Sequence, residues 1–490
     1  MKPIHAYASI AISAALSSPA IADTSDYGNG VENFKPAQYL TNKDGRHDHW
    51  LGIGQYNSPA YGYCTTFLID TGSTLPSDPV YALTSAHCVN KENGAMSVDE
   101  PIEGSITFNF FIDRTEDYMA FPLKRVVWSS IQGVDLALLE LEATQGEMRA
   151  QGIIPMKLAQ QAPAEDADIL VVHAAGTLPL QISACTHAPS SALFEKPWVW
   201  RHSVSNQCKG IKPGSSGSPV IIRATNEVYA VLGTRAEDLT PLTGYDSSPG
   251  ANYGSPTSVF KPCFSGGTLN ADPATCELFP TASIKLPDRF DHYAKIDINA
   301  AGEPKLPSFE FELTATTSFI RTKITNDPGK CESPDNYGPP FTPDSNRLNI
   351  QIGPQTGLNN LCLIATDSDE ELLPAGTYRN AVTVPTYLHP AGPTPAPAVN
   401  FVFNKTTNRV AFEWPQRNAE GIESYQAKSG LTGSVNCEDP QGYSKVNFNW
   451  LRRESNFPMT LCTYAYDANN QRSALTQYTL EWETLKGSAP

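Results

Sequence analysis

The chain has 490 residues, more than one ordinary domain, and at roughly 150 residues per domain its length points to two to four. A formal charge of −16 excludes nucleic acid and anionic membrane surfaces as partners, because a surface of that sign repels phosphate. Forty prolines and 34 glycines beside 20 tyrosines and 20 phenylalanines favour short strands joined by turns over long helices, so an all-β protein is expected.

In chain order, residues 1–22 read as a secretory signal peptide: one lysine, a short apolar run of small residues, then Ala20-Ile21-Ala22 as a cleavage site. That run is too short to cross a bilayer, and no later stretch approaches about 18 uninterrupted apolar residues. The mature protein is therefore expected to be exported, extracellular or periplasmic, and not membrane-spanning. Residues 23–46 are read as an N-terminal extension or pro-segment.

Ten cysteines in an exported chain imply disulfides. They fall in five neighbouring pairs: Cys64 with Cys88, Cys185 with Cys208, Cys263 with Cys276, Cys331 with Cys362, and Cys437 with Cys462. No Cys-x-x-Cys pair is present, and neither a metal nor a cofactor is expected.

Residues 47–302 form one large all-β region, with strands read at 65–69, 80–84, 169–172, 198–200, 220–222 and 228–232. His47 and His49 stand at i, i+2, a spacing that can chelate, but no further ligand accompanies them and the segment is read as an exposed lead-in to the first strand. His173, His187 and His202 are read as structural.

Two smaller units follow, at 303–392 and 393–490, divided by the proline-rich connector HPAGPTPAPAV at 389–399. Both carry C-E-x-P-x-x-Y, from Cys331 to Tyr337 and from Cys437 to Tyr443. Both then carry L-C-x-x-A-x-D, from Leu361 to Asp367 and from Leu461 to Asp467. This order marks a tandem repeat of immunoglobulin-like β-sandwich modules, expected to bind substrate or a surface. The acidic cluster Asp367, Asp369, Glu370 and Glu371 lacks the ligand series of an EF-hand and reads as a solvated loop.

The chemistry gathers in three segments. A hydrolytic serine needs a base, a group to orient the base, and donors for the oxyanion. GIKPGSSGSPV at 210–220 offers three serines in a turn. LTSAHCV at 83–89 places His87 next to a cysteine that would pin its backbone, and GVDLALLEL at 133–141 sets Asp135 at the head of an apolar strand. A buried carboxylate there wants a partner such as imidazole.

In the order His, Asp, Ser, the segments TSAHC, DLALL and GSSGSP resemble the trypsin/chymotrypsin-like serine endopeptidases, over roughly residues 50–299. The chain order disfavours an α/β-hydrolase. The resemblance implies a double β-barrel, protein or peptide substrates, and a triad of His87 as base, Asp135 as orienting carboxylate and Ser216 as nucleophile. It implies an oxyanion hole from the N–H groups of Gly214 and Ser216. Ser215 stands where trypsins carry the aspartate of the zymogen switch, which moves the likeness towards secreted bacterial members. Gly210 falls at the place of the trypsin specificity aspartate and Leu232 near that of the glutamyl endopeptidase histidine, so no P1 residue is assigned; Arg235 is read as an exposed strand-end arginine. An inactive protease-like adhesion protein and a serine esterase are the alternative functions.

Overall fold

The computed structural model describes residues 37–342, 347–370, 372–415 and 421–487. The expected signal peptide, residues 23–36 of the expected extension, and Glu371 lie outside these.

In chain order, β1 (Gln38–Tyr39) precedes β2 (Ile53–Ser58), β3 (Gly62–Leu68), β4 (Pro79–Thr84), β5 (Met96–Pro101), β6 (Ser105–Phe108), β7 (Met119–Ser130) and β8 (Leu136–Thr144). Strands β7-β6-β2-β3-β4-β8 run in that order, and β8 returns to pair with β7, closing a six-stranded barrel with β5 appended on β7. Next come β9 (Asp168–His173), β10 (Gln181–Pro189), the β11 (Leu193–Glu195)–β12 (Trp198–Trp200) hairpin, β13 (Val204–Asn206), β14 (Pro219–Ile222), β15 (Glu227–Arg235) and β16 (Asn252–Pro256). The order β10-β13-β16-β15-β14-β9 closes on itself as a second six-stranded barrel. Closure leaves neither ring an open hydrogen-bonding edge.

Successive side chains of a strand face opposite ways, and the apolar runs use both faces. Leu138 and Leu170 join a core shared by the two barrels, while their neighbours Leu139 and Val171 enter cores confined to one barrel each. The catalytic-type segments therefore sit on a seam packed from both sides.

Two expected boundaries shift. Strand β1 pairs with β10 and Leu40 is 2% exposed, so residues expected in the extension belong to the second barrel. Strand Tyr293–Lys295 pairs in parallel with Val382–His389, and Ile284, Leu286 and Ile296 pack into the first module's core. That module draws in residues well before 303, because its sheet needs an edge strand from the preceding segment.

The first module's main sheet runs Tyr293–Lys295, Val382–His389, Gly357–Thr366, Phe319–Thr325, facing shorter two-stranded pieces across one apolar core. The second stacks a three-stranded sheet on a four-stranded one, with Val410 and Phe412 meeting Tyr425, Leu461 and Ala465.

All five neighbouring cysteine pairs are disulfides in the structure. Cys64 is bonded to Cys88 in the first barrel and Cys185 to Cys208 in the second. Cys263 is bonded to Cys276 in the segment that follows β16. Each module has its own bridge, Cys331 to Cys362 and Cys437 to Cys462, and each ties the C-E-x-P turn to the strand carrying L-C-x-x-A-x-D.

The repeat has a physical basis. In each module the motif tyrosine donates to the carbonyl of the motif cysteine, Tyr337 to Cys331 and Tyr443 to Cys437, both at 2.8 Å. A lysine opposite the second cysteine, Cys362 or Cys462, lies over that ring, Lys323 at 4.3 Å and Lys428 at 4.5 Å from the centroid.

Candidate active site

His87 lies in a short 3-10 turn, Ala86–Cys88, that ends β4, and the Cys64–Cys88 disulfide ties this turn to β3. Asp135 directly precedes β8, and β8 pairs with β4, so the two segments meet side by side. Asp135 Oδ2 accepts from His87 Nδ1 at 2.8 Å, and Oδ1 accepts the His87 backbone N–H at 3.0 Å. Two bonds to one residue fix the ring's rotation as well as its place.

Burial opposes charge on both partners, and their attraction overcomes it. Burial pulls the His87 imidazole down, but the charge and hydrogen bond of Asp135 leave it raised above 6.5. For Asp135, burial pushes upward and His87 pulls harder downward, leaving it below the usual carboxylate range.

Ser216 reaches the same cleft from the second barrel, in the turn before β14. This cleft of about 340 Å³ is lined by His87, Ser216, Gly214, Glu195, Thr234 and others. Ser216 Oγ donates to the Gly233 carbonyl at 3.3 Å and makes no hydrogen bond to His87 here. The turn is held from four directions: Thr65 N–H donates to Ser216 O at 2.8 Å, Thr65 Oγ1 to Gly214 O at 3.1 Å, Gly217 N–H to Leu232 O at 2.7 Å, and Ser215 N–H to Lys212 O at 2.9 Å. Among the described residues, the N–H groups of Gly214 and Ser216 meet no acceptor. Gly214 has φ +95°, and a Cβ there would lie 2.1 Å from the Gly176 nitrogen, so only glycine fits this turn.

The three serines part ways. Ser215 is 1% exposed and shares a 2.9 Å hydrogen bond with buried His173, whose imidazole desolvation pushes down to about 4. Ser218 is buried and donates to the Ser215 carbonyl. Ser216 alone opens to the cleft.

The other histidines have structural surroundings. His187 contacts Tyr229, and His202 pairs with Glu332 of the first module at 2.9 Å. His47 and His49 are half-buried against Trp50 in a 3-10 turn rather than lying in an exposed lead-in; His47 stacks on that indole. Arg235 lines the cleft mouth, held by Asp238 at 3.0 Å. Cys64, His87 and Cys88 lie close enough together to suggest metal ligands, but both sulfurs are spent in a disulfide. Sequence reading did not find Glu195; its only signal is a lone carboxylate in the aromatic hairpin LFEKPWVW at 193–200.

A sequence profile of the trypsin-like peptidase domain matches residues 64–231. No curated protein matches this chain. Solved structures that resemble it include the active form of the Rv3671c protease from M. tuberculosis, at 14% identity and TM-score 0.31, covering 46% of this chain and 85% of that one. The MamO protease domain from Magnetospirillum magneticum gives 15% identity and TM-score 0.31, with 44% and 96% covered. The assignment rests on the profile and on the two closed barrels. Within the N-terminal double barrel, residues 64–231 thus carry a trypsin-like peptidase domain.

Proposed function

We propose that the chain is a secreted serine endopeptidase working through an acyl-enzyme on Ser216. The observation that carries this reading is the convergence of a half-buried His87 doubly bonded to buried Asp135 and a cleft-facing serine beside two N–H groups without acceptors. Rotation about the Ser216 side-chain torsion exchanges the Gly233 carbonyl for His87 Nε2. Ser216 Oγ then attacks the scissile carbonyl as its proton passes to Nε2, and the N–H groups of Gly214 and Ser216 receive the oxyanion. The same proton goes to the leaving amine, the C–N bond breaks, and a water repeats the sequence to free the acid. Ser215, tied to His173, holds the turn without an aspartate, so activation by a new N-terminal amine is not part of the proposed scheme.

Five disulfides support export, and no helix among the described residues is long and apolar enough to cross a membrane. The two C-terminal modules contribute no lining residue to the cleft, and in this reading they hold substrate or a surface outside it.

The test is fluorophosphonate labelling together with cleavage of denatured casein by the wild-type protein. Labelling with cleavage is expected. Neither reaction would favour an inactive adhesion protein, and turnover of short esters without casein would favour an esterase.

The pH profile gives a second check. His87 must be neutral to accept the proton, and its affinity for that proton is raised, so kcat/KM should climb with pH along a limb centred above 6.5. Asp135→Asn removes the charge that holds the limb up and offers Nδ1 a less suitable partner. Activity should fall by about 10⁴-fold and the limb should move to lower pH. A limb unmoved in this variant would separate His87 from the rate.

A further inference from the structure

Glu195 is a carboxylate on the wall of the cleft, at the end of β11. Its Oε2 accepts from Trp200 Nε1 at 2.8 Å across the hairpin, which holds the side chain in one place. Among the described residues, no lysine, arginine or histidine reaches ion-pair distance of it. The other charged groups of the cleft are already engaged or more open: Arg235 is bonded to Asp238, and Lys91 lies over the Tyr61 ring.

Taking a carboxylate out of water without a cation is costly, and a cation delivered into the site offsets that cost. Burial accordingly pushes Glu195 up to about 6, against the Trp200 hydrogen bond and the charge of His87, which pull it down. Strand β15 supplies Thr234, whose hydroxyl is also buried on the cleft wall.

We infer that Glu195, fixed by Trp200 and flanked by Thr234, forms a subsite beside His87 that takes a lysine or arginine side chain of the substrate. This rests on the peptidase reading above and adds a substrate class to it. The basic residue would occupy one fixed position relative to the cleaved bond, because Glu195 and Ser216 belong to the same rigid cleft. Glu195→Gln keeps the shape and an acceptor for Trp200 Nε1 while removing the charge.

The experiment is a mass-spectrometric digest of proteome-derived peptides by the wild-type full chain, to find the enriched position. Matched peptides carrying lysine or norleucine there are then compared for wild type and Glu195→Gln. We expect a lysine preference in kcat/KM of at least about tenfold in the wild type, collapsing towards one in the variant. Using a ratio within each protein removes any general loss of activity. Should the variant fail to fold, the wild-type ratio alone decides, and a value near or below one overturns the inference. Cleavage with no basic enrichment, or with acidic enrichment through Lys91 or Lys212, overturns the subsite and leaves the peptidase reading standing. No cleavage by the wild type overturns both.

Discussion

Replacing Ser216 with Ala should lower peptidase activity by roughly 10⁴- to 10⁶-fold and abolish fluorophosphonate labelling, with little change in melting temperature. Ser216 Oγ faces the cleft and makes one long hydrogen bond, to Gly233 O at 3.3 Å, so its removal leaves the fold almost untouched. Ser215→Ala should do the reverse. It strips a buried hydrogen bond from His173 and should cost about 1–3 kcal/mol of stability while probe labelling persists. Ser218→Ala loses its bond to the Ser215 carbonyl and should likewise keep labelling. Labelling that survives in Ser216→Ala and vanishes in either neighbour would move the nucleophile.

Arg201→Met should destabilise the chain by about 3–5 kcal/mol and weaken catalysis as well, read by thermal unfolding and by kcat/KM on casein-derived peptides. The Arg201 side chain is fully buried between the peptidase domain and the first module. Its guanidinium donates to the carbonyls of Ala381 and Arg379, and its Nε to Glu332 Oε1 at 3.1 Å. Methionine fills the space but leaves these three acceptors, and Thr383 Oγ1, short of a donor.

The catalytic effect follows from the backbone. Arg201 N–H donates to Gly133 O at 2.8 Å, two residues before Asp135. A Cβ on Gly133 would lie 2.1 Å from the Arg201 Cζ, so the loop carrying Asp135 is packed directly on this arginine. Loosening Arg201 should therefore misplace Asp135. Unchanged catalysis at unchanged stability would show that the first module is a passenger.

The same cluster has a pH signature. Burial pushes the Glu332 carboxyl up, but the His202 hydrogen bond and the Arg201 charge outweigh it and leave it at about 2. A depressed acid stabilises the fold above its unfolded value of about 4.5, and the contribution is lost as pH falls from there through about 2. The interface should thus loosen first in acid. Glu332 is the glutamate of the first C-E-x-P motif; its counterpart Glu438 is exposed, with its backbone N–H donating to Asn436 Oδ1, so this glutamate serves docking in one repeat and not in the other.

Much of the candidate site was legible in the sequence because its parts are locally conspicuous. His87 beside a cysteine, Asp135 at the head of LALLEL and a serine among glycines each break an otherwise ordinary pattern. The all-β class followed from turn residues and aromatic strands. The disulfides followed from cysteines close along the chain, from Cys263 and Cys276 at a separation of 13 to Cys331 and Cys362 at 31. The expected edges of the units were less legible, since β1 and Tyr293–Lys295 are short pieces whose membership depends on which distant strand they pair with.

What the sequence determined by itself is which groups are candidates for the reaction, because side-chain type and immediate neighbours carry that information over a few residues. Tertiary structure alone decided which groups share a low-dielectric space. It brought Ser215 to His173, 42 residues away, and Arg201 to Ala381, 180 residues away, and it stood Glu195 on the wall beside His87. Burial and charge pairing are properties of packed neighbours, and neighbours at such separations are set by barrel closure and module docking.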